Sequence, residues 1–133
     1  MISDANRFRP FDTHLDEQGS LLILRNAVAG AEDGELYLER RRGEALGFDD
    51  GRLRTASYDA GEGFGLRTVN GPTVAYAHGT EMTEAALTRA AETCRMAARH
   101  GGGTLAAPPA PTNRRLYAEI DPLEGPDFAV KVA

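Results

Sequence analysis

The stretch Gly51-Arg-Leu-Arg-Thr-Ala-Ser-Tyr-Asp-Ala-Gly-Glu-Gly-Phe-Gly-Leu-Arg-Thr-Val-Asn-Gly-Pro-Thr-Val-Ala-Tyr-Ala-His78 decides how this chain folds. Turn formers punctuate it. Asp49-Asp50-Gly51 opens it, Gly61-Glu62-Gly63 interrupts it, and Asn70-Gly71-Pro72 interrupts it again. Between them lie runs rich in Thr, Tyr, Phe, Leu and Val, which suit a pleated, half-buried strand. Asp-Gly tolerates the positive φ that two-residue hairpin loops demand. The spacing predicts strands from Arg52 to about Ala60, from Phe64 to Val69 and from Thr73 to His78. Connections this short make neighbouring strands antiparallel.

On the N-terminal side, Glu35-Leu-Tyr-Leu-Glu-Arg-Arg-Arg42 alternates Leu36 and Leu38 with Tyr37 and Glu39, the period of another half-buried strand. A further strand is expected from Glu44 to Phe48. The result is a meander of about five strands over roughly residues 36–78. From about Asp16 to Ala29, Leu21, Leu24, Ala27 and Val28, with Ala31 just beyond, recur at helical spacing, and Gly30 stands where a C-terminal cap belongs. Thr83 to His100 predicts a second helix, with Thr83 as N-cap, Glu84 at the positive end of the dipole, and Arg95, Arg99 and His100 at the negative end. Its apolar face is Leu87, Ala90, Ala91, Cys94, Ala97 and Ala98, small enough for close approach to a sheet. The expected class is therefore α+β, with helices at about 16–29 and 83–100 packed on one face of the sheet.

Residues 1–15 are polar and broken by Pro10, and they read as a flexible arm. After Gly101-Gly-Gly103 comes a connector rich in Pro and Ala, then an extended segment from Leu116 to Ile120. Pro126-Asp-Phe-Ala-Val-Lys-Val-Ala133 reads as the first two turns of a helix that stops in mid-pattern. Residues 16–133 are thus expected to be part of a larger domain.

Composition narrows the classes of function. Hydrophobic content of 41% and charge of 26% are ordinary for a globular domain, and 133 residues can bury about two thirds of their unfolded surface. A net charge of −5 steers the chain toward neither nucleic acid nor anionic lipid. There are fourteen arginines and a single lysine, Lys131. Cys94 is the only cysteine, which excludes an internal disulfide and a Cys-rich zinc site and points to a reducing, cytoplasmic setting. The start, Met-Ile-Ser-Asp-Ala-Asn-Arg, has no apolar core of a secretory signal, and the longest apolar run, Leu21 to Leu24, is too short for a bilayer.

Little in the chain offers chemistry. Gly61-x-Gly63-x-Gly65 lacks the strand-before, helix-after context of a dinucleotide fingerprint, and its glycines read as turn residues with positive φ. His14, His78 and His100 have no partner at metal-ligand spacing, although His78 beside Tyr76 could face a groove. Arg40-Arg41-Arg42 spreads over both faces of a strand and reads as solvated edge-strand charge rather than a phosphate contact. Glu32-Asp33 and Asp49-Asp50 suit turns better than acid/base catalysis. Cys94 reads as a small buried hydrophobe. No catalytic, cofactor-binding or metal-binding residue is expected in this chain.

The ordered set Gly34-Glu-Leu-Tyr-Leu-Glu39, Asp50-Gly-Arg-Leu-Arg-Thr-Ala-Ser-Tyr58, Gly61-x-Gly-x-Gly-Leu-Arg67, Tyr76-Ala77, Ala86-Leu87, Ala90-Ala91-Glu-Thr and Leu116-Tyr-x-x-x-Asp-Pro122 resembles the N-terminal region of the TldD/PmbA zinc metallopeptidases, once called modulators of DNA gyrase. The resemblance covers about residues 16–133. Its Leu-Tyr…Asp-Pro element looks more like the TldD type of subunit than its PmbA (TldE) partner. It implies a parent protein that pairs with a TldE/PmbA-like subunit and degrades extended or unfolded peptides. It also implies zinc held in a C-terminal domain by a His-Glu-x-x-x-His helix and a cysteine. None of those positions occurs here, so the expected role is scaffold, substrate groove and subunit contact. The competing readings are a stand-alone interaction module without enzymatic activity and, behind it, a nucleic-acid or gyrase-associated binder, which the acidic balance disfavours.

Overall fold

A computed structural model of the chain describes residues 7–97 and 120–133. Its elements run α1 (Pro10–Thr13), α2 (Glu17–Val28), β1 (Asp33–Asp49), β2 (Arg52–Asn70), β3 (Thr73–Gly79), α3 (Glu84–Ala97) and α4 (Phe128–Lys131). The class is α+β, as the patterning requires. The chain divides into two compact units. Of the described residues, one comprises 9–40 and 62–97, the other 7–8, 41–61 and 120–133.

The expected five strands are three, in the order β1-β2-β3. Glu35–Arg42 and Glu44–Phe48 are one 17-residue strand, and the runs on either side of Gly61-Glu62-Gly63 are one 19-residue strand. The physical reason lies in the backbone: none of Gly43, Gly61, Gly63 and Gly65 takes the positive φ of a turn. Glycine permits a turn without imposing one, and strand-forming residues on both sides carry the ladder through. The two real turns are the other pair expected. Asp50 and Gly51 have φ of 49° and 66°, the sign pattern of a type I′ loop. Gly71 supplies a φ of 55° ahead of Pro72, whose ring holds φ negative, as in a II′ loop. β2 then pairs antiparallel with β3 from Asn70↔Thr73 to Phe64↔Gly79.

In the first unit the alternation of β2 buries Phe64, Leu66 and Thr68, while Leu36 and Leu38 of β1 are half-buried and Tyr37 and Glu39 exposed. α3 contacts both β3 and α2, and it turns Ala86, Leu87, Ala90, Ala91 and Cys94 inward. Leu66 and Leu87 are sealed from solvent, each worth about 2 kcal/mol of hydrophobic transfer. α2 contributes Ala27 and Val28, with Ala31 just beyond it and Leu24 packed against the pair Val28 and Ala31. Both helices start as their sequences direct. The Asp16 carboxylate accepts from the Gly19 amide at 2.6 Å, and the Thr83 hydroxyl accepts from the Ala86 amide at 3.2 Å. Gly30, at φ 96°, closes α2 one residue past its C-cap. The end of the second expected helix, residues 98–100, lies outside the described residues, as does the segment 116–119. Within the segment read as an arm, α1 makes one turn and Leu15 is buried.

In the second unit, residues 120–133 hold a single helical turn, α4, rather than two. Pro126 precedes its N-cap, Asp127, whose extended backbone puts the proline outside the helix. Arg42 pairs with Asp121, and Lys131 Nζ donates to Glu44 Oε1 at 2.8 Å. The basic run therefore divides. Arg41 makes a loose, exposed pair with Asp59 at 3.9 Å, whereas Arg42 serves a carboxylate that is 94% buried. Among the described residues no helix is long and apolar enough to cross a membrane.

Candidate functional site

β3 is the last strand in the sheet order, so its far side meets no further strand among the described residues. Such an edge carries backbone N–H and C=O groups able to pair with another extended chain. Beside it runs α3, and between the two lies a groove of about 350 Å³ lined by Phe64, Ala77, His78, Gly79, Thr80, Glu81, Ala86, Arg89, Ala90 and Thr93. The small side chains at 77, 79, 86 and 90 make the room. Arg89 reaches Glu81 at 3.5 Å, and both are about two-thirds exposed, so this pair contributes roughly 0–1 kcal/mol and can rearrange around a ligand.

Glycine shapes the mouth of this groove by close approach. A Cβ on Gly63 would stand 2.6 Å from the carbonyl oxygen of Gly79, and one on Gly79 would stand 3.0 Å from the Phe64 ring. The opposite face of the sheet is solvent-facing and partly aromatic. Tyr76 lies across Gly65, where a Cβ would meet its hydroxyl at 2.6 Å, and its ring centre is 5.7 Å from that of His78. A diagonal aromatic over a strand glycine is within the reach that antiparallel pairing allows, since Tyr76 is the register partner of Arg67. On the same face the Arg67 guanidinium donates to Glu35 at 2.7 Å. The Tyr37 hydroxyl donates to Glu39 at 2.8 Å, and that bond, with the carboxylate's charge, raises the phenol pKa.

The residues weighed for chemistry are dispersed. His14 stands 3.6 Å from Glu62, His78 neighbours Tyr76, and His100 lies outside the described residues. Asp33 accepts from the amide of Gly34 at 2.8 Å, Asp49 pairs with Arg54 at 3.5 Å, and Asp50 occupies the positive-φ turn. These acids shape turns and strand ends. The run of glycines at 61, 63 and 65 is strand, not turn, so its expected positive φ is corrected to close strand and ring contacts at 63 and 65. Among the described residues no three of His, Cys, Asp and Glu converge as a set of metal ligands. The β3–α3 groove escaped the sequence reading because it depends on β3 being an edge. The one signal was the run of small residues shared by Ala77, Gly79, Ala86 and Ala90.

Cys94 is sealed inside the first unit, its thiol donating to the Leu66 carbonyl at 3.5 Å. Burial pushes its pKa up, against smaller opposing effects from the Ala77 backbone and the Thr68 side chain. The folded state thus holds this proton more tightly than the unfolded chain does. The resulting stabilisation is full below the ordinary thiol pKa and is lost as pH rises through the raised one. The expected result is that alkylation of Cys94 near neutral pH follows unfolding of the domain, so that labelling in graded urea coincides with the loss of circular dichroism. Prompt labelling in the absence of denaturant would show the thiol to be accessible.

Residues 34–98 match the family model for PmbA/TldA metallopeptidase domain 1. The matched segment takes in β1 from Gly34, both further strands and α3, and it supports the PmbA/TldD family for this chain, without separating TldD from PmbA.

Proposed function

We propose that this chain is first-domain material of a TldD-type zinc metallopeptidase subunit, and that it guides an extended peptide rather than cutting it. The observation that carries the reading is the match of residues 34–98 to the first domain of that family, a segment holding both walls of the β3–α3 groove. An open strand edge recognises an extended backbone by main-chain hydrogen bonds, and alternate side chains of the guest fall into the neighbouring groove. The Leu-Tyr…Asp-Pro element favours the TldD type over the PmbA type; its Asp121 pairs with Arg42. In this reading residues 1–15 are an N-terminal arm whose last residues, through Leu15, pack with the first unit, and 16–133 belong to a larger domain. Zinc and its base belong to another domain of the parent protein, a TldE/PmbA-like subunit is the partner, and the setting is cytoplasmic. A stand-alone interaction module would use the same edge, and a gyrase or nucleic-acid role has only the exposed Tyr76–His78 pair in its favour.

The test is titration of a dye-labelled, unstructured peptide with the purified chain, read by anisotropy. Thr93→Trp fills the groove from an exposed wall position and is expected to remove binding while the melting temperature holds. Equal binding by the variant and the parent would move the peptide off this groove. Binding to single-stranded oligonucleotide in place of peptide would transfer the reading to nucleic acid.

A further inference from the structure

We propose that residues 120–133 form a strap latched onto β1 by two ion pairs, and that this latch opens when its charges are removed or reversed while the hairpin beneath it stays paired. Arg42 and Glu44 are two residues apart, so strand alternation puts them on one face. They meet Asp121 and Lys131 respectively, so a plus–minus order on the strand faces a minus–plus order on the strap. Docking in the wrong register would set like charges together, which gives the arrangement a single preferred seat. Both pairs are well shielded, with side-chain exposures of 22% and 6% for Arg42 and Asp121, and 15% and 23% for Lys131 and Glu44.

The strap's own secondary structure is slight. α4 is one turn without a side-chain cap, too short to persist by itself. Three of its five large apolar groups face solvent, Ile120, Phe128 and Val130 being 63%, 51% and 64% exposed, while Leu123 and Val132 are half-buried. Asp121 links the latch to the strap's own conformation, since its second carboxylate oxygen accepts from the Leu123 amide at 2.9 Å and its carbonyl accepts from Glu124 at 3.2 Å. Losing the Arg42 contact therefore loosens the turn as well as the attachment. The hairpin has its own turn at Asp50-Gly51 and needs none of these charges to remain paired.

The experiment is amide hydrogen exchange on the full chain, read at Leu123, Glu124, Val130, Lys131 and Val132, whose amides donate within the strap. Exchange there is expected to speed up about tenfold in Glu44→Lys, which sets two like charges against each other at a shielded site. Amides of residues 46–56 serve as the control and are expected to hold their rates. The double reversal Glu44→Lys with Lys131→Glu is expected to restore protection. Strap exchange indifferent to the single reversal would overturn the latch, and so would a double reversal no better protected than the single. Lys131→Gln, which leaves the hairpin sequence untouched, is expected to speed strap exchange as well, so a hairpin disturbed by Glu44→Lys cannot hide the answer.

Discussion

Ala90→Pro is expected to abolish the cooperative melting of the unit built from residues 9–40 and 62–97. Ala90 lies in the middle of α3 and is 94% buried. A proline there removes an internal hydrogen bond and drives its ring against the carbonyl one turn earlier, at Ala86, at a cost of about 3 kcal/mol or more. The ring also overfills a site that now holds one methyl group, adding about 1–3 kcal/mol. Together these approach the whole stability of a typical domain, about 5–15 kcal/mol. α3 is the element that covers both β3 and α2, so the sheet face bearing Leu66 and Thr68 would lose its lid. Circular dichroism against temperature decides the matter. A variant that still melts in one sharp step would mean that the sheet and α2 hold together without α3.

The glycines of β2 should differ in a definite order. Gly63→Ala brings a methyl group within 2.6 Å of a backbone oxygen, that of Gly79, and backbone moves only by distorting the β2–β3 ladder. The expected loss is about 1–3 kcal/mol. For a unit of this size each kilocalorie lowers the melting temperature by roughly 4–8 °C. Gly61→Ala meets nothing within 4 Å, and with its φ already suited to an L-residue it should be neutral or gain a few tenths of a kcal/mol from the less flexible unfolded chain. Gly65→Ala falls between them, because its obstacle is the Tyr76 side chain, which can swing away. Equal melting temperatures for all three variants would remove close approach as the reason for glycine at position 63.

The helices were legible because their signals agree: Thr83 at one start, Gly30 at one end, and apolar stripes at helical spacing in both. The class and the two loop positions were legible for the same reason, since Asp-Gly and Asn-Gly-Pro combine a positive-φ residue with strand-forming flanks. The strand count was not. Whether Gly43 and Gly61 turn or run on depends on the partner strand, and a partner's hydrogen bonds leave no mark in the local sequence. Arg42 and Asp121 are 79 residues apart, and Glu44 and Lys131 are 87 apart, so local spacing could not join them. The basic run therefore read as uniform solvated charge. The candidate groove is likewise a product of sheet order and helix placement, although the alanines that hollow it out stood in plain view.

Lys131 carries the chain's only side-chain amine, and that amine is bonded to Glu44. An acylating reagent needs the neutral, unengaged amine, so it must wait for the ion pair to part. Acetylation would then erase the positive charge for good, leaving Glu44 with a neutral amide as its neighbour. The mass of one acyl group added to the peptide that contains Lys131, measured over time, becomes an intrinsic clock for how often the strap lets go.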